Sequence, residues 1–140
     1  MSKPSPKSSI YRLIEAGQRA HKALLVPLLE RGLEPGDDAV LFALAANGMA
    51  ETELAAELGL SVSALDARLA RLAERQILTR TAGALEMPSI VALTERGMRI
   101  RDSLAESWGQ LEEALLGDLK PKQRKRLGET LGRLVELLGP

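Results

Sequence analysis

The chain has no cysteine, which excludes disulfides, thiolate metal sites and a thiol redox switch. Its aromatic residues are one Trp, one Tyr and one Phe, so a core has to be packed from Leu, Ala, Val and Ile. Net charge is missing as well: nineteen Lys and Arg cancel nineteen Asp and Glu. That balance supplies no bulk attraction for nucleic acid or acidic lipid, although charge can still segregate locally. No apolar run approaches the roughly 20 residues that span a bilayer, and the start, MSKPSPKSS, lacks the apolar stretch of a secretory signal. A cytoplasmic protein with no membrane partner is expected. One histidine and no cysteine leave no sign of a metal site or a cofactor. Catalysis is not expected either. There is no glycine-rich phosphate loop, and the adjacent Glu112 and Glu113 point apart on a helix.

What the 140 residues do contain is helical periodicity. Residues 1–8, rich in Ser, Pro and Lys, read as a disordered tail. From Ser9 to Glu30 an apolar stripe follows Ile10, Ile14, Gly17, His21, Leu24 and Leu28. Pro27 falls inside it and predicts a kink or an early stop. Leu33 to Gly36 is a connector, with Pro35 suited to a first helical position. DDAVLFALAANG then reads as a nearly all-apolar helix ending at Asn47-Gly48. Two helices are predicted over Ala50–Leu58 and Ser61–Gln76, with Gly59 turning the chain and Ser61 capping the second. Val62, Leu65, Leu69 and Leu72 form the second helix's buried stripe. Ile77–Thr81 and Ser89–Leu93 read as strands joined by AGALEMP. Thr94 caps a long helix to about Leu116, and Pro121 opens a last one. No internal repeat is visible.

Helix, glycine turn, helix, strand, turn, strand is the order of a winged helix-turn-helix, and the fold class is mostly α (α+β). Domain organisation follows: a single domain over residues 9–140, with the winged helix-turn-helix at 36–97. Long helical segments at 9–34 and 98–140 carry more apolar surface than that centre can cover, which predicts a homodimer built from them.

The chain resembles the MarR family of bacterial transcription regulators. The resemblance rests on GLEPGDDAVLFAL, on ETELAAELGLSVSALDARLARLAERQILTR without gaps, and on VALTERG at the exit from the second strand. It extends over nearly the whole chain from about Ile10. It implies a homodimer that binds pseudopalindromic double-stranded DNA. It also implies a small-molecule effector, often aromatic, seated between the dimer helices and the winged part.

In a helix-turn-helix the second helix enters the major groove with its N-terminal residues at base edges. Those positions here are Ser61, Ser63, Ala64, Asp66 and Ala67, followed by Arg68 and Arg71. Serines suit bases or phosphates, alanine methyls suit thymine methyls, Arg68 and Arg71 suit phosphate or guanine, and Arg75 and Arg80 complete the four phosphate candidates. The family often has a basic residue where Ala67 stands, and a basic wing tip where this chain reads Ala82–Pro88. Between Arg80 and Arg96 there is no Lys or Arg at all. Residues 50–80 hold four arginines against five carboxylates. Because non-specific affinity rests on phosphate neutralisation, this deficit favours a second reading: a winged-helix protein-interaction module with weakened or lost DNA binding of its own. Tyr11, His21, Phe42 and Trp108 are the candidates for an effector pocket, each with a plainer reading as interface or core. The basic run Lys120, Lys122, Arg124, Lys125 and Arg126 reads as a solvated helix face.

Overall fold

The computed structural model describes Lys3 and Ser5–Gly139; Met1, Ser2 and Pro4, which belong to the tail expected to be disordered, lie outside the described residues. The chain divides into two compact units, Met1–Ala105 and Glu106–Pro140, with the boundary inside one long helix.

The first unit opens with α1, Ser9–Glu30. This helix runs to Glu30 through Pro27, so the early stop, one of the two outcomes expected there, does not occur. A single proline withdraws one donor from the ladder, whereas the actual stop three residues after Pro27 is built by several groups acting together. Gly32 takes a φ of 69°, and its N–H reaches Leu29 O at 3.0 Å while Leu33 N–H reaches Leu28 O at 2.9 Å. This is a Schellman end, sealed by contact-prone Leu28 and Leu33, both buried.

Helix α2, Asp37–Ala43, begins where DDAVLFALAANG was expected to begin but ends earlier than expected. Gly36, not Pro35, precedes its first residue, because the Asp37 carboxylate accepts from Glu34 N–H and Asp38 from Gly36 N–H, folding the connector back on itself. At the other end the backbone turns extended at Leu44, well before Asn47. The reason is tertiary. Residues 45–48 form a turn that delivers a strand, β1 (Met49–Ala50), onto the sheet, with Gly48 pressed against Val91 and Ala92. No strand was expected at β1, since two residues carry no alternation.

Helix α3 (Glu51–Leu58) ends at Gly59 in the left-handed region, φ 67°. Helix α4 (Val62–Glu74) starts at Ser61, whose Oγ accepts from Ala64 N–H at 3.0 Å. Leu65, Leu69 and Leu72 of α4 are fully buried. Val62 was assigned to the same stripe but is 43% exposed, because the first turn of α4 lies outside the core. Strands β2 (Leu78–Thr81) and β3 (Ile90–Leu93) complete an antiparallel sheet ordered β1-β3-β2, with Arg80 opposite Val91 and Met49 opposite Val91 on the other side. The core joins Leu28, Val40, Leu41, Leu54, Leu69, Ile77, Val91 and Leu104. Burying each such side chain contributes about 1.5–3 kcal/mol.

Helix α5, Glu95–Leu116, leaves the sheet with Thr94 as its cap: Thr94 Oγ1 accepts from Gly97 N–H at 2.9 Å. Its second half belongs to the other unit, with α6, Pro121–Leu138. Pro121 stands at the first helical position, and Gln123 Oε1 accepts from Lys120 N–H. Arg124 pairs with Glu112 and Glu113 at 3.2 and 3.7 Å. No residue of α6 is buried; Leu131, Val135 and Leu138 stand open. Among the described residues no helix is long and apolar enough to cross a membrane.

Candidate nucleic-acid interface

The reading face of α4 is short-chained. Ser63, Ala64 and Ala67 are exposed on its first two turns, and Ser61 at the cap is exposed too, with its oxygen committed to Ala64 N–H. Small side chains on a helix let the backbone approach a groove floor closely. They leave the longer arginines to supply charge, and here the arginines are occupied.

Arg68, Arg71 and Arg75 recur at i, i+3 and i+7 and therefore share one face of α4. That face points to the α1–α2 connector. Arg71 grips Asp37 with both guanidinium nitrogens, at 3.0 and 2.6 Å, and reaches Glu34 at 3.3 Å. Arg68 donates to the same carboxylate at 2.5 Å and to Pro35 O at 3.2 Å. Arg75 donates to the carbonyls of Gly32 and Arg31. Arg80, from β2, bridges Glu51 at the start of α3 and Asp66 on α4, each at 2.7 Å. The four phosphate candidates thus act as struts that fix α4 against the rest of the winged unit.

Asp37 holds this arrangement together and is fully buried. Burial pushes its carboxyl up. The hydrogen bonds from Arg71, from Glu34 N–H and from Arg68 outweigh that, and hold it below the usual carboxylate value. Hydrogen bonding to Asp37 in turn raises Arg71, and Glu51 followed by Asp66 raises Arg80. Asp37 was missed in the sequence. Its only signal was an acidic residue opening an otherwise apolar helix, and the partners that explain it lie 31 and 34 positions away.

The wing, Ala82–Pro88, is a tight turn: Met87 N–H donates to Ala84 O at 2.8 Å, and Glu86 takes a positive φ of 66°. Leu85 at its tip is 96% exposed. The wing therefore presents shape and an apolar tip rather than positive charge.

Of the effector-pocket candidates, Tyr11 and His21 lie on α1, Phe42 on α2 and Trp108 on α5. Tyr11 lines a shallow recess on α1 with Pro6, Ile14, Glu15 and Gln18, and none of the other three candidates lines it. His21 is exposed, ten residues further along α1, or about 15 Å by helical rise. Phe42 is partly exposed on α2, and Trp108 is half-buried in the second unit. Among the described residues no group of His, Asp and Glu is placed to hold a metal ion.

This architecture is the winged helix-turn-helix, with a three-stranded sheet and long flanking helices. No family model matches the chain, and no curated protein does. Solved structures do. A MarR-family transcriptional regulator from Rhodococcus sp. RHA1 is similar at a TM-score of 0.75 and 22% identity, over 95% of this chain and 97% of that one. CouR from Rhodococcus jostii RHA1, solved with p-coumaroyl-CoA, is similar at 0.76 and 22%, over 94% and 95%. The MepR–DNA complex of S. aureus is similar at 0.71 and 18%, over 95% and 96%. The chain has the MarR-like winged-helix fold.

Proposed function

We propose that this chain is a MarR-type transcription regulator, a cytoplasmic, non-catalytic homodimer that binds a pseudopalindromic operator and responds to a small molecule. The observation that carries the reading is the α4 surface. Its first two turns present Ser63, Ala64 and Ala67, while Arg68 and Arg71, beside the two alanines on the helix, and Arg75 anchor it to the α1–α2 connector. A rigid helix with a small-chained leading face is built to enter a groove. A solved relative of the same fold is a DNA complex, and another holds p-coumaroyl-CoA.

Gel-shift and footprinting against the region upstream of its own gene test the proposal. A protected pseudopalindrome at low salt is expected. Because the helix-turn-helix arginines are paired internally, few remain to displace counterions. The slope of log affinity against log salt is expected to be shallower than about −5, the value for six phosphate contacts. Ser63→Ala is expected to change base preference at one position per half-site, with about 1–3 kcal/mol of discrimination altered. Absence of any sequence-specific complex would sink the reading.

The homodimer is supported by apolar side chains that stand exposed on α1 and on α6. Ile10, Tyr11 and Ile14 of α1 and Leu131, Val135 and Leu138 of α6 are between 42% and 79% exposed. Sedimentation is expected to give two chains per particle, and Val135→Glu is expected to weaken association at least about tenfold by placing a charge in an apolar interface. A monomer at micromolar concentration would rule the dimer out.

The second reading, a protein-interaction module, is favoured by one observation: all four arginines are paired while Leu60, Val62, Leu85 and Met87 are exposed. A co-purifying partner with no DNA shift would establish it in place of the first.

A further inference from the structure

A second cluster of guanidinium groups lies in the winged unit, away from Asp37. Arg31 at the end of α1 and Arg96, Arg99, Ile100 and Ser103 of α5 line a single surface recess. No carboxylate lines it, and among the described residues neither Arg96 nor Arg99 forms an ion pair. The arginines at 68, 71 and 80 all have acidic partners. Arg96, Arg99 and Ser103 recur at i, i+3 and i+7, so α5 presents them on one face toward the recess. Like charges such as Arg96 and Arg99 so placed repel mildly, and none of the described residues that line the recess is acidic.

Arg31 is already oriented. Its Nε and Nη2 donate to Ser103 Oγ at 3.2 and 2.7 Å, Nη2 also donates to Ser103 O at 3.3 Å, and Nη1 donates to Pro27 O at 2.8 Å. With its oxygen accepting from Arg31, the Ser103 hydroxyl keeps its own proton to donate outward. The recess therefore presents forked donors from Arg96 and Arg99, a fixed positive charge from Arg31 and one hydroxyl donor. Planar forked donors around a concave floor match a tetrahedral oxyanion carrying about two negative charges.

We propose that Arg31, Arg96, Arg99 and Ser103 bind the phosphate group of a small molecule. The site is distinct from the base-reading end of α4. Arg75, just beyond the last residue of α4, donates to Arg31 O, which puts the recess at the C-terminal end of that helix. Ser61 is thirteen residues of helix away, about 18–20 Å. The same contact gives the site a route to DNA: Arg31 holds the anion through its side chain and the foot of α4 through its carbonyl. That linkage rests on the DNA-binding reading above; phosphate binding itself does not.

The test titrates the full chain with inorganic phosphate, then with pyrophosphate, at constant low ionic strength with chloride as the balancing salt. Calorimetry or phosphorus NMR is the readout. One saturable site per chain is expected, weakened about tenfold by Arg99→Gln and about as much by Arg96→Gln, each removing a charge-assisted donor. Arg19→Gln, an exposed arginine elsewhere on α1, is expected to leave it unchanged. Circular dichroism checks that the variants fold, which the exposure of Arg96 and Arg99 favours. Absence of saturable binding overturns the proposal, as does binding that Arg96→Gln and Arg99→Gln leave intact. If those variants lose DNA affinity while the parent chain binds no phosphate, the arginines touch the DNA backbone and the proposal falls. If phosphate binds as expected and no operator is found, the site stands and the DNA reading fails.

Discussion

Asp37→Ala is expected to lower the stability of the winged unit by about 3 kcal/mol, near the bottom of the range for breaking a buried ion pair. The lower end applies because Arg68 and Arg71 keep 28% of their side-chain surface in water and are not stranded in a dry core. Even so, the loss is large against the roughly 5–15 kcal/mol that holds a domain together. Three groups lose their acceptor at once: Arg68, Arg71 and the Glu34 N–H. Urea unfolding followed by circular dichroism measures the shift in midpoint at unchanged slope. Arg68→Ala alone is expected to cost less, since Arg71 still neutralises Asp37 bidentately. An Asp37→Ala variant within about 0.5 kcal/mol of the parent would show that the arginines do not brace α4.

The same residue sets a pH dependence. The folded-state value of Asp37 lies below the ordinary one of about 3.9. In the window between the two, the unfolded chain binds the proton and the folded chain does not. Stability from this group is therefore full above the ordinary value and is lost as pH falls through the folded one. Stability measured from pH 6 downward should decline as the solution enters that window, and Asp37→Asn should remove this component of the decline. An identical profile in the variant would assign acid sensitivity to other carboxylates.

The helix-turn-helix was legible because its signals are local. Gly59 is needed where the backbone turns left-handed, and Ser61 caps α4 through a bond three residues long. The early end of α2 and the existence of β1 were not legible. Both depend on pairing with β3, some forty residues on, and pairing of that range leaves no mark on a two-residue segment. The arginines show the same limit in the site itself. Their identities as the only cations of residues 50–80 were plain, and their spacing on one helical face was plain. Which face was not, because it is decided by Asp37 and by the carbonyls that end α1. Charge in a sequence reports what is available to bind phosphate, and the fold decides how much of it is already spoken for. The Arg31, Arg96 and Arg99 recess escaped notice for the same reason, its members lying 65 or more residues apart across α1 and α5.

Gly97→Ala is expected to cost about 2–4 kcal/mol, combining overpacking with loss of a helix cap. A Cβ at Gly97 would overlap the backbone carbonyl of Ile77. That carbonyl cannot easily retreat: it accepts from Thr94 N–H at 3.1 Å, and Thr94 Oγ1 lies 3.1 Å from it. The first turn of α5 would have to move off β2 instead, breaking the bond from Gly97 N–H to Thr94 Oγ1. Here the Thr-Glu-Arg-Gly segment has a physical reason: Thr94 ties α5 to the end of α4's connector, and Gly97 lets the helix lie directly on it. Gly109→Ala, in the same helix with nothing within 4 Å of its Cβ position, should do the opposite and stabilise by about 0.5–1 kcal/mol. Equilibrium unfolding of the two variants side by side decides the matter. Equal shifts of one sign would mean that helix propensity alone governs α5 and that its close approach to Ile77 carries no weight.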